Sequence, residues 1–127
     1  MSSVGRGKQG ERLAESFLVA SGYEILAKNW RGLKGRRAPE IDIIAREKDI
    51  IVFVEVKAAS TDSFGSPAYW ITENKRRRLA NGATAYLSQH SLDQANCRFD
   101  AILIDARSSP PTVKHIKNAF DVPNEMP

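Results

Sequence analysis

Two neighbouring apolar runs carry ionisable residues where a buried strand tolerates them poorly, and this conflict constrains the fold more than any other feature. Ile50-Ile-Val-Phe-Val-Glu-Val-Lys57 is a strand-like run interrupted by Glu55 and Lys57. Just before it, Pro39-Glu-Ile-Asp-Ile-Ile-Ala45 is interrupted by Glu40 and Asp42. An ionised group at the end of a core strand is costly unless it is paired or bound to a metal. Asp42, Glu55 and Lys57 are the smallest set able to hold a divalent cation beside a phosphate.

Side chains alternate across a strand, so Glu55 and Lys57 share a face, about 7 Å apart. The two runs are close enough for a hairpin. A two-residue loop at Lys48-Asp49 pairs Glu47 with Ile50 and sets Asp42 opposite Glu55. A four-residue loop over 46–49 keeps the two acids on one face, whereas a three-residue loop separates them. Lys48-Asp49 lacks the glycine that marks a two-residue turn, so the residues leave these registers open. In the facing registers the carboxylates repel, and a hard divalent ion resolves the conflict. The Val56 carbonyl is a further candidate ligand. Lys57 is placed to orient an attacking water or to stabilise charge developing on the phosphate. The plainer alternative is an acid–lysine ion pair closing the end of a strand.

A length of 127 residues suits one domain over 1–127, with 1–7 and 122–127 expected as loose tails. Hydrophobic content of 42% and charged content of 27% are those of an ordinary globular chain. There is no apolar run near the roughly 20 residues of a membrane span, and no apolar leader, so no membrane association is expected. Cys97 is the single cysteine and is expected to pack as a small hydrophobe. These features point to the reducing cytoplasm. The net charge is +4, and nine of the nineteen basic residues fall in residues 28–37 and 75–78. Arg31, Lys34, Arg36 and Arg37 in the first stretch, and Lys75, Arg76, Arg77 and Arg78 in the second, are candidates for binding a nucleic-acid backbone. A solvated basic face is the alternative.

Apolar periodicity predicts a helix over 8–21, with Leu13, Ala14, Phe17, Leu18 and Ser21 on one stripe and Gly22 as its stop. Strands follow at 23–30, 40–46 and 50–58. A second helix over 73–88, capped by Thr72, carries Leu79, Ala83, Tyr86 and Leu87. Strands at 98–105 and 112–116 and a helical turn at 117–121 complete an α/β order of αβββαββ. The central strands are apolar on both faces, as in a sheet flanked by helices. Glu11 borders the packed side of the first helix, as a further metal-binding carboxylate or as a charge favouring the helix N-terminus. Lys75 shares the face of Leu79 and is placed to meet a phosphate, with Arg76, Arg77 and Arg78 fanning outward. Glu40 lies beside Asp42 as a supporting group.

Other signals are weaker. Gly5-Arg-Gly-Lys-Gln-Gly10 lacks the ending of a phosphate loop. His90 and His115 have no cysteine partners for a zinc site. Ser60, Ser63 and Ser66 carry no signature of an activated nucleophile. Trp30, Tyr69 and Trp70 are expected to pack in the core or at its rim, with stacking on bases as the alternative.

The spacing Asp42, twelve residues, Glu55-Val-Lys57 resembles the PD-(D/E)xK signature of the restriction-endonuclease-like superfamily. The flanking segments extend the likeness: Gly10-Glu-Arg-Leu-Ala14, Gly22-Tyr23, Asn29-Trp-Arg31, Glu40-Ile-Asp-Ile-Ile-Ala45, Val52-Phe-Val-Glu-Val-Lys57, Phe64-Gly-Ser-Pro67, Thr72-Glu-Asn-Lys75 and Arg98-Phe-Asp100. Over residues 8–121 they resemble the YraN-like family of small bacterial proteins, which are similar to archaeal-type Holliday junction resolvases. The resemblance implies a restriction-endonuclease-like mixed sheet flanked by helices and a metal-dependent nuclease site. Glu11, Asp42, Glu55 and Lys57 match the family's acidic and lysine positions. Two departures stand out: Pro39 where the family usually has glycine, and Ala59 where an arginine often follows. The expectation is a Mg²⁺- or Mn²⁺-dependent endonuclease acting on DNA, including branched or junction DNA. Cutting both strands requires two sites, which a homodimer would supply. The alternatives are a nucleic-acid-binding protein that keeps the fold without cutting, and a protein-interaction scaffold.

Overall fold

The computed structural model describes residues 3–32, 40–59 and 70–121. The elements are α1 (Ser3–Ala20), β1 (Glu24–Arg31), β2 (Glu40–Glu47), β3 (Ile50–Ala59), α2 (Glu73–Gln89), β4 (Asn96–Asp105) and β5 (Thr112–Ile116). They form one mixed sheet in the order β1-β2-β3-β4-β5. Only β3 and β4 are parallel among these neighbours. Parallel neighbours need a crossover connection, which α2 provides. Among the described residues the result is a mixed α/β fold of five strands and two helices, consistent with a restriction-endonuclease-like fold.

Alternation along the central strands sends their apolar side chains to both faces. Val52, Val54, Ile102 and Ile104 pack with Ala14 and Leu18 of α1. Ile51, Phe53, Phe99 and Ala101 pack with Leu79, Ala83 and Tyr86 of α2. The expected stripes are the ones the helices pack, except that Ser21 is exposed just beyond the end of α1.

The helix ends follow from their local chemistry. Gly22, at φ 94°, closes α1: its N–H donates to the Val19 carbonyl at 3.0 Å, and the Tyr23 N–H reaches the Leu18 carbonyl at 2.9 Å. These are the two bonds of a Schellman cap, in which glycine carries no Cβ penalty. Thr72, in extended backbone, caps α2 by accepting the Lys75 N–H at 3.2 Å.

Several boundaries differ from expectation. α1 begins at Ser3 rather than Lys8, so residues 3–7 are helical and not a loose tail. Once a packed turn is in place, each added residue fixes little more backbone than its own and gains a hydrogen bond. No helical turn forms at 117–121. Instead Asn118 has φ 51°, the Ala119 N–H donates to the Phe99 carbonyl at 2.8 Å, and Phe120 packs on Phe99 with ring centroids 5.1 Å apart. Binding to the sheet replaces helical bonding there. Cys97 is exposed at the start of β4 rather than packed as a small hydrophobe. It precedes the buried stretch of that strand, which begins at Phe99. No helix is long and apolar enough to cross a membrane among the described residues.

Candidate metal centre and phosphate cleft

The hairpin register decides whether the acids meet. Glu47 pairs with Ile50 and the ladder runs back to Ile43 with Val54. The loop is therefore the two residues Lys48-Asp49, with Lys48 at φ 56° taking the conformation usually given to glycine. Its carbonyl accepts from Arg46 Nε at 3.0 Å. Continuing the count sets Asp42 opposite Glu55. Here the Asp42 carboxylate accepts the Val56 backbone N–H at 2.9 Å. A strand residue directs its N–H and C=O to the same neighbour, so the Val56 carbonyl lies on the β3 edge that faces Asp42.

Asp42, Glu55 and Glu40 line one cleft of about 450 Å³, closed on the other side by Thr72, Asn74, Lys75, Arg78 and Leu79 of the α2 N-terminal turn. Glu55 is buried at 7% exposure. Its Oε1 receives Lys75 Nζ at 2.6 Å. Glu40 is held by Arg31 at 2.8 Å on the rim. Lys57 is exposed and by alternation follows Glu55 on the same strand face. Glu11 is half-buried on α1 and acts on Asp42 through its charge.

The electrostatics are those of a crowded acidic pocket. Burial is the main force on Asp42, and the charge of Glu55 adds to it; together they push its pKa from 3.8 up to about 7. The Val56 hydrogen bond and the Lys75 charge pull the other way. Glu55 is also raised, again first by burial, with Lys75 opposing through a hydrogen bond and through its charge. Burial and mutual repulsion thus oppose ionisation of both carboxylates at once.

The donors fit a hard divalent ion. Two carboxylates and a main-chain carbonyl are all oxygen, the donor type Mg²⁺ and Mn²⁺ prefer. Among the described residues no three His, Cys, Asp or Glu side chains gather as a metal-holding group. Mg²⁺ in general takes one or two carboxylates and keeps several waters, so a two-carboxylate set with a main-chain carbonyl is compatible with it.

The basic candidates separate. Lys75 and Arg78 line the cleft. Arg76 Nε donates to the Ile71 carbonyl at 3.1 Å, and Arg77 pairs with Glu73 at 3.0 Å, one turn earlier on α2. Arg31 is engaged by Glu40. Lys34, Arg36 and Arg37, like Tyr69, lie outside the described residues. Trp30 packs edge-on against Tyr86 with centroids 5.3 Å apart, so it belongs to the core side of its two readings. Trp70 packs against the same cluster, with its indole Nε1 buried and without a hydrogen-bond partner among the described residues.

Sequence reading missed two features. Asn74 lines the cleft because it stands on the first turn of α2 beside Lys75, a position the Thr72 cap made legible. The second is a polar network away from the cleft. Asp100 is fully buried and accepts from Arg98 Nε at 3.0 Å and the Asn118 N–H at 3.0 Å, with His115 Nε2 at 2.8 Å. Arg98 also reaches Glu47 at 3.1 Å and the Tyr23 hydroxyl at 2.6 Å. This network ties β2, β4 and β5 to Tyr23, the residue just before β1. Burial opposes the Asp100 charge, but the bonds from His115, Arg98 and Asn118 outweigh it and hold its pKa below the usual range. His115 is thus a structural partner of Asp100.

The fold and cleft define a mixed α/β protein with an acidic, two-carboxylate pocket beneath a basic helix start. The family described as "Uncharacterised protein family UPF0102" matches residues 10–104, and the chain belongs to it. Similar proteins span nearly the same length. A UPF0102 protein of Desulfosudis oleivorans is 44% identical over 91% of this chain and 89% of its own. One of Trichlorobacter lovleyi is 37% identical over 96% and 98%, and one of Chlorobium phaeobacteroides 41% identical over 90% and 92%.

Proposed function

We propose that this chain is a Mg²⁺- or Mn²⁺-dependent nuclease of the restriction-endonuclease-like type that hydrolyses phosphodiester bonds in DNA, including branched DNA. The supporting observation is the convergence of Asp42 and Glu55, both largely buried, in one cleft whose other wall carries Lys75 and Arg78. Asp42, Glu55 and the Val56 carbonyl would hold the cation, with Glu11 adding negative charge behind Asp42. When bound, the cation screens the phosphate charge and acidifies a water. The remaining roles belong to the chain. Lys57, exposed beside Glu55, orients the attacking water or stabilises the negative charge that builds on the phosphate oxygens. Arg78 and Lys75 hold the backbone on the opposite wall without reading sequence. The Val56 N–H fixes the Asp42 carboxylate, so less of its freedom is lost on binding.

A second reading has one observation in its favour. Lys75 already neutralises Glu55 at 2.6 Å, which gives the buried acid a structural partner without any metal. On that reading the protein binds nucleic acid and does not cut. Incubation with linear, flapped, four-way-junction and single-stranded DNA in Mg²⁺, Mn²⁺ or EDTA separates the two. The nuclease reading expects metal-dependent cleavage, abolished in Asp42→Asn and strongly reduced in Lys57→Ala. Binding without cleavage on every substrate would favour the second reading.

A further inference from the structure

We propose that Lys75 is an exchangeable counter-ion: it occupies Glu55 when no metal is present, yields that carboxylate to an incoming divalent cation, and then offers its freed ammonium to the phosphate. This deepens the nuclease reading and rests on it. The Lys75–Glu55 contact at 2.6 Å lies inside the same cleft as Asp42, on the α2 turn that closes it. The Lys75 side chain keeps 41% of its exposure, whereas that of Glu55 keeps 9%, so the lysine is the partner free to move. Lysine is a compact point charge on a flexible four-carbon stem and changes partner without a fixed fork geometry.

Charge arithmetic gives the exchange a consequence. Without metal, the Lys75 charge is spent on Glu55 and is not available to a phosphate, which the acids Glu40 and Glu11 nearby also repel. A dication neutralises both carboxylates, and the Lys75 charge, beside Arg78, becomes surplus and attracts a phosphate. Metal and backbone binding are thereby coupled through one side chain, and the coupling is reciprocal. Lys57 also acts on Glu55 by charge, but it is exposed on the strand rather than seated on the carboxylate.

The test is Mn²⁺ affinity of the DNA-free protein by calorimetry at one neutral pH. In Lys75→Gln the amide still donates to Glu55 but the competing charge is gone, so Mn²⁺ binds tighter, on the order of tenfold. In Lys75→Arg the bidentate grip on the carboxylate is stronger, so Mn²⁺ binds several-fold more weakly. Unchanged or weakened binding in Lys75→Gln overturns the exchange while leaving the nuclease reading intact. Should Lys75→Gln not fold, Lys75→Arg decides: affinity equal to or above wild type overturns the exchange. An absence of Mn²⁺ binding in wild type and Lys75→Gln alike overturns both readings.

Discussion

The Asp42 carboxylate accepts the backbone N–H of Val56 at 2.9 Å, at the point where the paired register of β2 and β3 ends. That one bond fixes the acid on the strand that carries Glu55 and keeps it aimed into the cleft. It also means that Asn at position 42 preserves the acceptor and removes only the charge, so Asp42→Asn is expected to fold normally by circular dichroism.

The raised pKa of Asp42 sets a pH dependence of stability. Its folded value is about 7 against an ordinary 3.8, so the folded state binds more protons than the unfolded one between these values. The stability it contributes is full below about pH 4 and is lost as pH rises through about 7; the raised Glu55 acts in the same direction. Metal-free protein is expected to lose on the order of 3 kcal/mol across this window. Asp42→Asn should flatten most of the fall, measured by urea denaturation at a series of pH values in EDTA.

Asp100 gives the opposite sign. Its pKa is held below the ordinary 3.8, so its contribution is present above that value and lost as pH falls through the folded pKa. It is fully buried with three partners, so Asp100→Asn is expected to cost about 2–4 kcal/mol in urea denaturation at neutral pH. Because the network lies away from the cleft, Mn²⁺ affinity of the folded variant should stay at the wild-type value.

Gly10 places α1 against the sheet. A Cβ built there lies 3.1 Å from the Ala58 Cβ and 3.8 Å from Ile104 Cγ1. In Gly10→Ala the helix-propensity gain of about 1 kcal/mol offsets the tight contact, and stability should change little. Gly10→Val forces the helix away from β3 and is expected to cost about 1–3 kcal/mol by chemical denaturation.

Arg78 is exposed on the cleft wall and contacts phosphate in the proposed complex. Arg78→Ala should weaken DNA binding similarly across sequences and reduce the slope of log affinity against log salt by about one. Fluorescence anisotropy over a salt series reads this directly.

Much of this was legible in the chain, for reasons that also explain the rest. The order αβββαββ followed from apolar periods and from Gly22 and Thr72, local signals that packing did not override. The facing of Asp42 and Glu55 depended on a turn whose residues leave it undecided; only the positive φ of Lys48 makes the two-residue loop work. Residues 117–121 read as helical from sequence because their bonding partner, Phe99, is distant along the chain. The Lys75–Glu55 and Asp100–His115 contacts were invisible for the same reason: each joins elements whose approach depends on how α2 and β5 pack on the sheet.

The central claim is that Asp42 and Glu55 together hold one divalent cation. Calorimetric titration of DNA-free protein with Mn²⁺ tests it most directly. The expected result is a single saturable site in wild type, weakened about tenfold or more in both Asp42→Asn and Glu55→Gln. Binding of equal strength in wild type and both variants would contradict it.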